Sequence, residues 1–254
     1  MYPIDAHTYR STAFNRRVRF LVLHYTAINF NGSINALVNG TQVSAHYLVP
    51  DPSDPSFTSA GFDAMRTFNL VDENERAWHA GVSGWAGRSN LNDTSIGIEI
   101  VNQASVSNGQ FVFPPYHPQQ VEALIQLGQA ILQRYPDITP TQVVGHSDIA
   151  IGRKSDPGAA FPWQALHQAG IGAWYDEARK AYYQQRFAGC LPQVKVVLAK
   201  LRTYGYSFPT SPDPAQVRAV LRAFQLHFRP GNFDGVLDAE TAAIVFALVE
   251  RYMP

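Results

Sequence analysis

Arg17-Val18-Arg19-Phe20-Leu21-Val22-Leu23-His24-Tyr25 is an apolar and aromatic run that closes on an imidazole. A run this short, rich in Val, Leu and aromatic residues, predicts a buried strand. Ser44–Val49 (SAHYLV) predicts a second strand, stopped by Pro50, Pro52 and Pro55. Residues 51–64 read as a long loop from their Pro, Ser, Asp and Gly content. Short strands are expected over Phe68–Val71 and Glu75–His79, and a further core strand over Ser95–Val101 (SIGIEIV).

The strongest helix signal covers His117–Tyr135. Pro118 suits a first turn, Val121, Leu124, Ile125, Ile131 and Leu132 recur on one face, and Pro136 ends the pattern. Gln142–Gly145 predicts another strand, followed by a loop to Pro162. Strands interleaved with helices in this way predict an α/β fold, a mixed central β-sheet flanked by helices, over residues 1–170.

After residue 170 the strand signal stops. Ala173–Phe187 reads as a connecting helix within 171–187, and 188–254 as a small C-terminal three-helix domain. Its apolar faces are Val194/Val197/Leu198/Leu201, Val217/Val220/Leu221/Phe224/Phe228 and Ile244/Val245/Leu248/Tyr252, with Asp238 placed to cap the last helix.

Composition narrows the function. Across 254 residues Lys and Arg balance Asp and Glu, and the basic residues are scattered, which argues against a nucleic-acid partner. Cys190 is the one cysteine, so a metal would have to be held by His, Asp or Glu. No apolar stretch approaches the roughly 20 residues of a membrane helix. The segment beginning Met1-Tyr2-Pro3-Ile4 has neither the basic nor the apolar region of a signal peptide.

Three residues have the chemistry of an open catalytic zinc site. His24 and His146 each follow an apolar strand, and Asp156 lies in the turn Lys154-Ser155-Asp156-Pro157-Gly158. Two imidazoles and a carboxylate leave one tetrahedral position for water, although spacing alone does not separate ligands from structural histidines. Glu99 interrupts Ile96, Ile98 and Ile100, where an unpaired carboxylate is costly. It reads as a general base with a raised pKa, as a partner in a salt bridge, or as part of a strand face pointing to solvent. Lys154 reads as an oxyanion partner or as a solvated loop lysine. The HExxH, GxSxG and P-loop signatures are absent.

Val22–Tyr25, Val43–Val49, Arg76–Gly81 (RAWHAG), Asn92–Ile100 (NDTSIGIEI), Gly145–Ala150 (GHSDIA) and Lys154–Gly158 (KSDPG) come in an order that resembles the zinc-dependent N-acetylmuramoyl-L-alanine amidases. The resemblance spans about residues 17–168. It implies one catalytic Zn2+ on His24, His146 and Asp156, with Glu99 as the catalytic glutamate and Lys154 as the stabiliser of the transition state. Ala45 before His46, together with Glu99, is similar to the glutamate-dependent bacterial branch rather than to phage amidases and peptidoglycan recognition proteins. Arg88 matches a position that meets acidic groups of the peptide stem; His46 and His79 are expected at the substrate pocket or behind it.

Residues 188–254 resemble a three-helix peptidoglycan-binding domain, through Val217–Phe228 and the turn Phe233–Asp238. The expected partner is therefore the peptidoglycan sacculus or muropeptides, and the expected place the periplasm. The alternatives are a recognition protein that binds peptidoglycan without cutting it, and a zinc peptidase cutting within the stem.

Overall fold

The computed structural model describes residues 1–254. Its elements in chain order begin with β1 (Phe20–Tyr25), α1 (Phe30–Ile34, continued by a wide turn to Asn39), β2 (Tyr47–Val49), α2 (Pro55–Ser59) and β3 (Phe68–Asn69). Next come β4 (Gly84–Trp85), β5 (Arg88–Ser89), β6 (Ser95–Ile100), β7 (Ser105–Ser107), β8 (Gln110–Val112) and α3 (Pro118–Arg134). The remainder is β9 (Val143–Gly145), α4 (His146–Ile149), α5 (Trp163–Gln168), α6 (Glu177–Phe187), α7 (Val194–Tyr204), α8 (Pro214–Phe228) and α9 (Ala239–Tyr252).

The expected mixed sheet is present, in the order β3-β2-β6-β1-β9. β1 pairs in parallel with β6 and β9, and β2 in parallel with β6, while β3 is antiparallel. Because β1 lies between two partners with both faces covered, Phe20–Leu23 are all buried and the strand reads as an unbroken apolar run. Parallel pairing also brings the carboxyl ends of β1, β6 and β9 to one edge of the sheet, the usual place for a ligand crevice.

Several expectations change in detail. Residues 51–64 contain α2, because Asp54 accepts the Ser56 amide and Pro55 supplies a ready first turn. Glu75–His79 forms no strand; its chain is instead held by side chains, with Asn92 Oδ1 accepting the His79 and Ala80 amides at 3.1 and 2.7 Å. The stretch after Gly145 opens with one helical turn, α4, rather than a loop.

The helices after residue 170 do not stand apart. One hydrophobic cluster runs from Phe20, Leu23 and Ile98 of the sheet through Trp85 and Trp163 to Phe224, Ile244 and Leu248. α6 does more than connect: Tyr183 and Phe187 pack on Phe246 of α9, and Lys180 pairs with Glu240 at 2.8 Å. Trp85 joins the two parts, donating to the Thr141 carbonyl at 2.9 Å while its ring packs on Tyr206. Gly205, at φ 142°, leaves room for it, since a Cβ there would lie 2.6 Å from the indole. No helix is long and apolar enough to cross a membrane.

Candidate active site

His24 is the fifth residue of β1 and Glu99 the fifth of β6, and the two are paired in register. Paired residues of neighbouring strands face the same side of a sheet, so the imidazole and the carboxyl share one edge. His146 follows β9 as the first residue of α4. The loop bearing Asp156 is tied back to it, the Ser147 amide donating to the Asp156 carbonyl at 2.8 Å.

Three side-chain atoms converge. His24 Nδ1, His146 Nδ1 and Asp156 Oδ2 lie 2.9–3.0 Å from one another, and all three residues are buried. The surrounding hydrogen bonds define which ring nitrogens carry protons. Ser95 donates its hydroxyl to the Leu91 carbonyl at 2.6 Å and so accepts from His79 Nε2 at 3.2 Å. His79 Nδ1 then holds a lone pair and accepts from His24 Nε2 at 3.0 Å. His146 Nε2 donates to the Ala80 carbonyl at 3.1 Å. In the neutral rings, both Nδ1 atoms therefore aim lone pairs at a carboxylate oxygen.

Three lone-pair donors facing one point repel unless a cation lies between them. Two imidazoles and a carboxylate, each oriented by a partner on its far side, form the donor set and support expected around a catalytic divalent metal. The residues fit a zinc ion. Electrostatics favour a neutral His24: burial first, then the repulsion a protonated His146 would exert, pushes its pKa down to about 4. Burial also drives His79 well below its ordinary value, with His24 adding to the effect. For Asp156 burial acts upward; with no cation between the three groups, proton-bearing His146 and His24 rings would override it and hold the carboxyl well below the usual range, the pull a bound metal exerts when the rings are neutral.

Beside these atoms is a pocket of about 180 Å³ whose lining includes Tyr25, Trp78, His79, Glu99 and Lys154. Glu99 Oε2 is buried with no hydrogen-bond partner, so the salt-bridge reading of this residue does not hold. Burial and the nearby Asp156 charge raise its pKa well above the carboxylate norm, and Lys154 opposes them.

The remaining candidates divide. His79 lines the pocket with its ring, but both its nitrogens are engaged. His46 accepts the Gly97 amide at 3.0 Å and donates to the Glu75 carbonyl at 3.2 Å, which leaves no ring nitrogen for a ligand; it stands behind His79. Arg88, on β5, lies outside the small pocket. It lines a separate cleft of about 740 Å³ between the sheet domain and α8.

Ser95, Asn92 and the Leu91 and Ala80 carbonyls escaped notice in the sequence. Only Ser95 carried a signal there, as a hydroxyl opening an otherwise apolar strand. Gly97 is a further hidden requirement, since a Cβ at this position would overlap the His79 ring.

The chain has clear matches among known proteins. Residues 14–159 match the family described as N-acetylmuramoyl-L-alanine amidase. The chain is 45% identical to the N-acetylmuramoyl-L-alanine amidase AmiD of Escherichia coli strain K12, over 99% of this chain and 89% of that protein. The crystal structure of AmpDh3 from Pseudomonas aeruginosa superposes with a TM-score of 0.96 at 57% identity, covering 100% of both chains. AmiD from E. coli, solved with the substrate anhydro-N-acetylmuramic acid-L-Ala-D-γ-Glu-L-Lys, gives a TM-score of 0.86 at 44% identity over 96% of this chain and 93% of that one.

Proposed function

The chain belongs to the N-acetylmuramoyl-L-alanine amidase family, and from that membership we propose a zinc-dependent mechanism in which Glu99 is the base and Lys154 the oxyanion partner. As an amidase of this family it hydrolyses the bond between N-acetylmuramic acid and the L-alanine of the peptide stem. The observation that carries the mechanism is the convergence of His24 Nδ1, His146 Nδ1 and Asp156 Oδ2 beside a carboxyl with an unpartnered oxygen.

The chemistry a zinc ion supplies in a three-donor site is Lewis acidity, which polarises a carbonyl and makes water a stronger acid. His24, His146 and Asp156 would hold it, kept in register by the bonds through His79, Ser95 and Ala80. Glu99 takes the proton of the water that attacks the lactyl carbonyl. It returns that proton to the L-alanine nitrogen as the C–N bond breaks, so the leaving group departs as an amine. A carboxyl whose pKa is raised by burial is suited to both transfers. Lys154 borders the same pocket and supplies positive charge to the oxygen on which negative charge collects, a contribution of about 3 kcal/mol in comparable sites.

The substrate is a muropeptide or the sacculus itself. The resemblance of residues 188–254 to a wall-binding module supports the polymer, and with it action in the periplasm. Product masses from purified sacculi, with and without a chelator, test the reading. Peptides that begin with a free L-alanine amine, released only when metal is present, are the expected result. Products cut within the stem would point to a peptidase, and metal-independent binding without release to a recognition protein.

A further inference from the structure

Lys154 borders two cavities: the catalytic pocket and a second one of about 310 Å³ between the Gly152–Ser155 loop and α8. α8 faces this groove with Ala215, Arg218, Ala219, Arg222, Ala223 and Leu226. These positions make one stripe of a helix, and small residues at three of them leave the floor open.

Four cations line the groove, Arg153, Lys154, Arg218 and Arg222, and no acidic residue does. None of the four is in an ion pair, although the chain has as many carboxylates as cations. Arg76, Arg134, Arg179, Lys180 and Arg229 pair with carboxylates elsewhere, while eleven other cations do not; what sets these four apart is that they gather in one groove. Arg218 Nε donates to the Asp234 carbonyl at 3.1 Å and Arg222 Nε to the Phe233 carbonyl at 3.2 Å. Both guanidinium groups are thus braced on one turn, with further N–H groups to spare. Asp234, whose Oδ1 accepts the Val236 amide at 2.8 Å, neither lines the groove nor forms an ion pair with the two arginines. Like charges gathered in a groove without a counter-ion repel one another, and an entering anion relieves that repulsion.

We infer that this groove is a second, anion-binding subsite, which takes a carboxylate-bearing stem peptide of peptidoglycan while the reacting amide lies on the other side of Lys154. The inference rests on the amidase reading, since a cell-wall peptide is the anionic chain such an enzyme meets. Braced guanidinium groups suit carboxylates, which they engage with paired hydrogen bonds. The carboxylates come either from the stem being cut or from a neighbouring stem of the same polymer.

The test uses the zinc-loaded full chain and the tripeptide L-Ala-γ-D-Glu-L-Lys, compared with the same peptide with both carboxylates amidated. Calorimetry should show the wild type preferring the diacid, and Arg218→Gln/Arg222→Gln losing about tenfold in affinity for it. Lys195→Gln/Arg186→Gln, which makes the same charge change elsewhere, should keep the preference. If the carboxylates belong to a neighbouring stem, the loss appears instead as a raised KM on sacculi. Unaltered peptide binding together with unaltered sacculus KM would overturn the subsite. So would an equal loss for diacid and diamide, because the arginines would then act only by bracing the Phe233–Asp234 turn. Binding requires no turnover: a wild type that binds the diacid yet releases no peptide would leave the groove standing and remove the amidase mechanism.

Discussion

Tyr206 donates its hydroxyl to Asp148 Oδ1 at 2.6 Å, joining the C-terminal helices to the turn that carries His146. The other oxygen, Oδ2, accepts from His227 Nδ1 at 2.7 Å and from the Gly145 amide at 2.8 Å. These side chains are buried, and the two carboxyl oxygens of Asp148 are tolerated there because each has a hydrogen-bond partner.

Replacing Tyr206 with Phe should therefore cost about 1–3 kcal/mol, the usual penalty when a buried acceptor loses its donor. Urea unfolding of wild type and variant measures it. Equal midpoints would mean that the junction does not depend on this bond.

Zinc affinity should respond to residues that never touch the metal. Ser95→Ala removes the acceptor for His79 Nε2, and loss of such outer support typically costs 10–100-fold in affinity. Gly97→Ala acts on the same chain by force, since its Cβ would lie within 2.6 Å of His79 Cδ2. Competition with a chromophoric chelator gives both values, and unchanged affinity in both variants would refute the His79 relay.

Glu99→Gln keeps the shape of the side chain but cannot take a proton. Turnover should fall by roughly 10²–10⁴-fold, with zinc stoichiometry still one per chain. Near-normal kcat would remove Glu99 from the base role. Because the amide cannot carry the charge that burial penalises and leaves no more unpartnered polar atoms than the carboxyl, thermal stability should not decrease.

Acid should weaken the metal-free protein over a defined window. The unfolded His24 ring takes up a proton near its ordinary value of 6.5, whereas the native ring resists until about 4. Between those values the unfolded state binds the extra proton, so the His24 contribution is full above pH 6.5, falls as pH drops toward 4 and is gone below. The shift corresponds to a loss on the order of 3 kcal/mol. Unfolding midpoints of the metal-free chain at pH 7 and pH 5 test this; a flat profile would contradict it.

Much of the fold was legible because its strands and helices declare themselves by period. Phe20–Tyr25 and Ser95–Ile100 are buried on both faces and read as apolar runs, and His117–Arg134 carries a cap, a proline and a stripe. The hairpins β4–β5 and β7–β8 passed unnoticed, since two- and three-residue strands hold too few residues to show a period. Whether His46 stands in the pocket or behind it was not legible, because sequence does not reveal that two backbone groups already use its ring.

The sequence by itself determined the donor types, their placement at strand ends, and the order of motifs that marks the family. Those properties are local: a histidine after an apolar run emerges at the edge of a sheet wherever that sheet forms. Tertiary structure alone decided the rest. Parallel pairing set His24 beside Glu99, the chain Leu91–Ser95–His79–His24 turned the His24 Nδ1 lone pair toward Asp156, and α8 closed a basic groove against Lys154. Each of these depends on contacts between residues distant in the chain, where hydrogen-bond direction and steric fit depend on three-dimensional proximity and leave no periodic trace in the sequence.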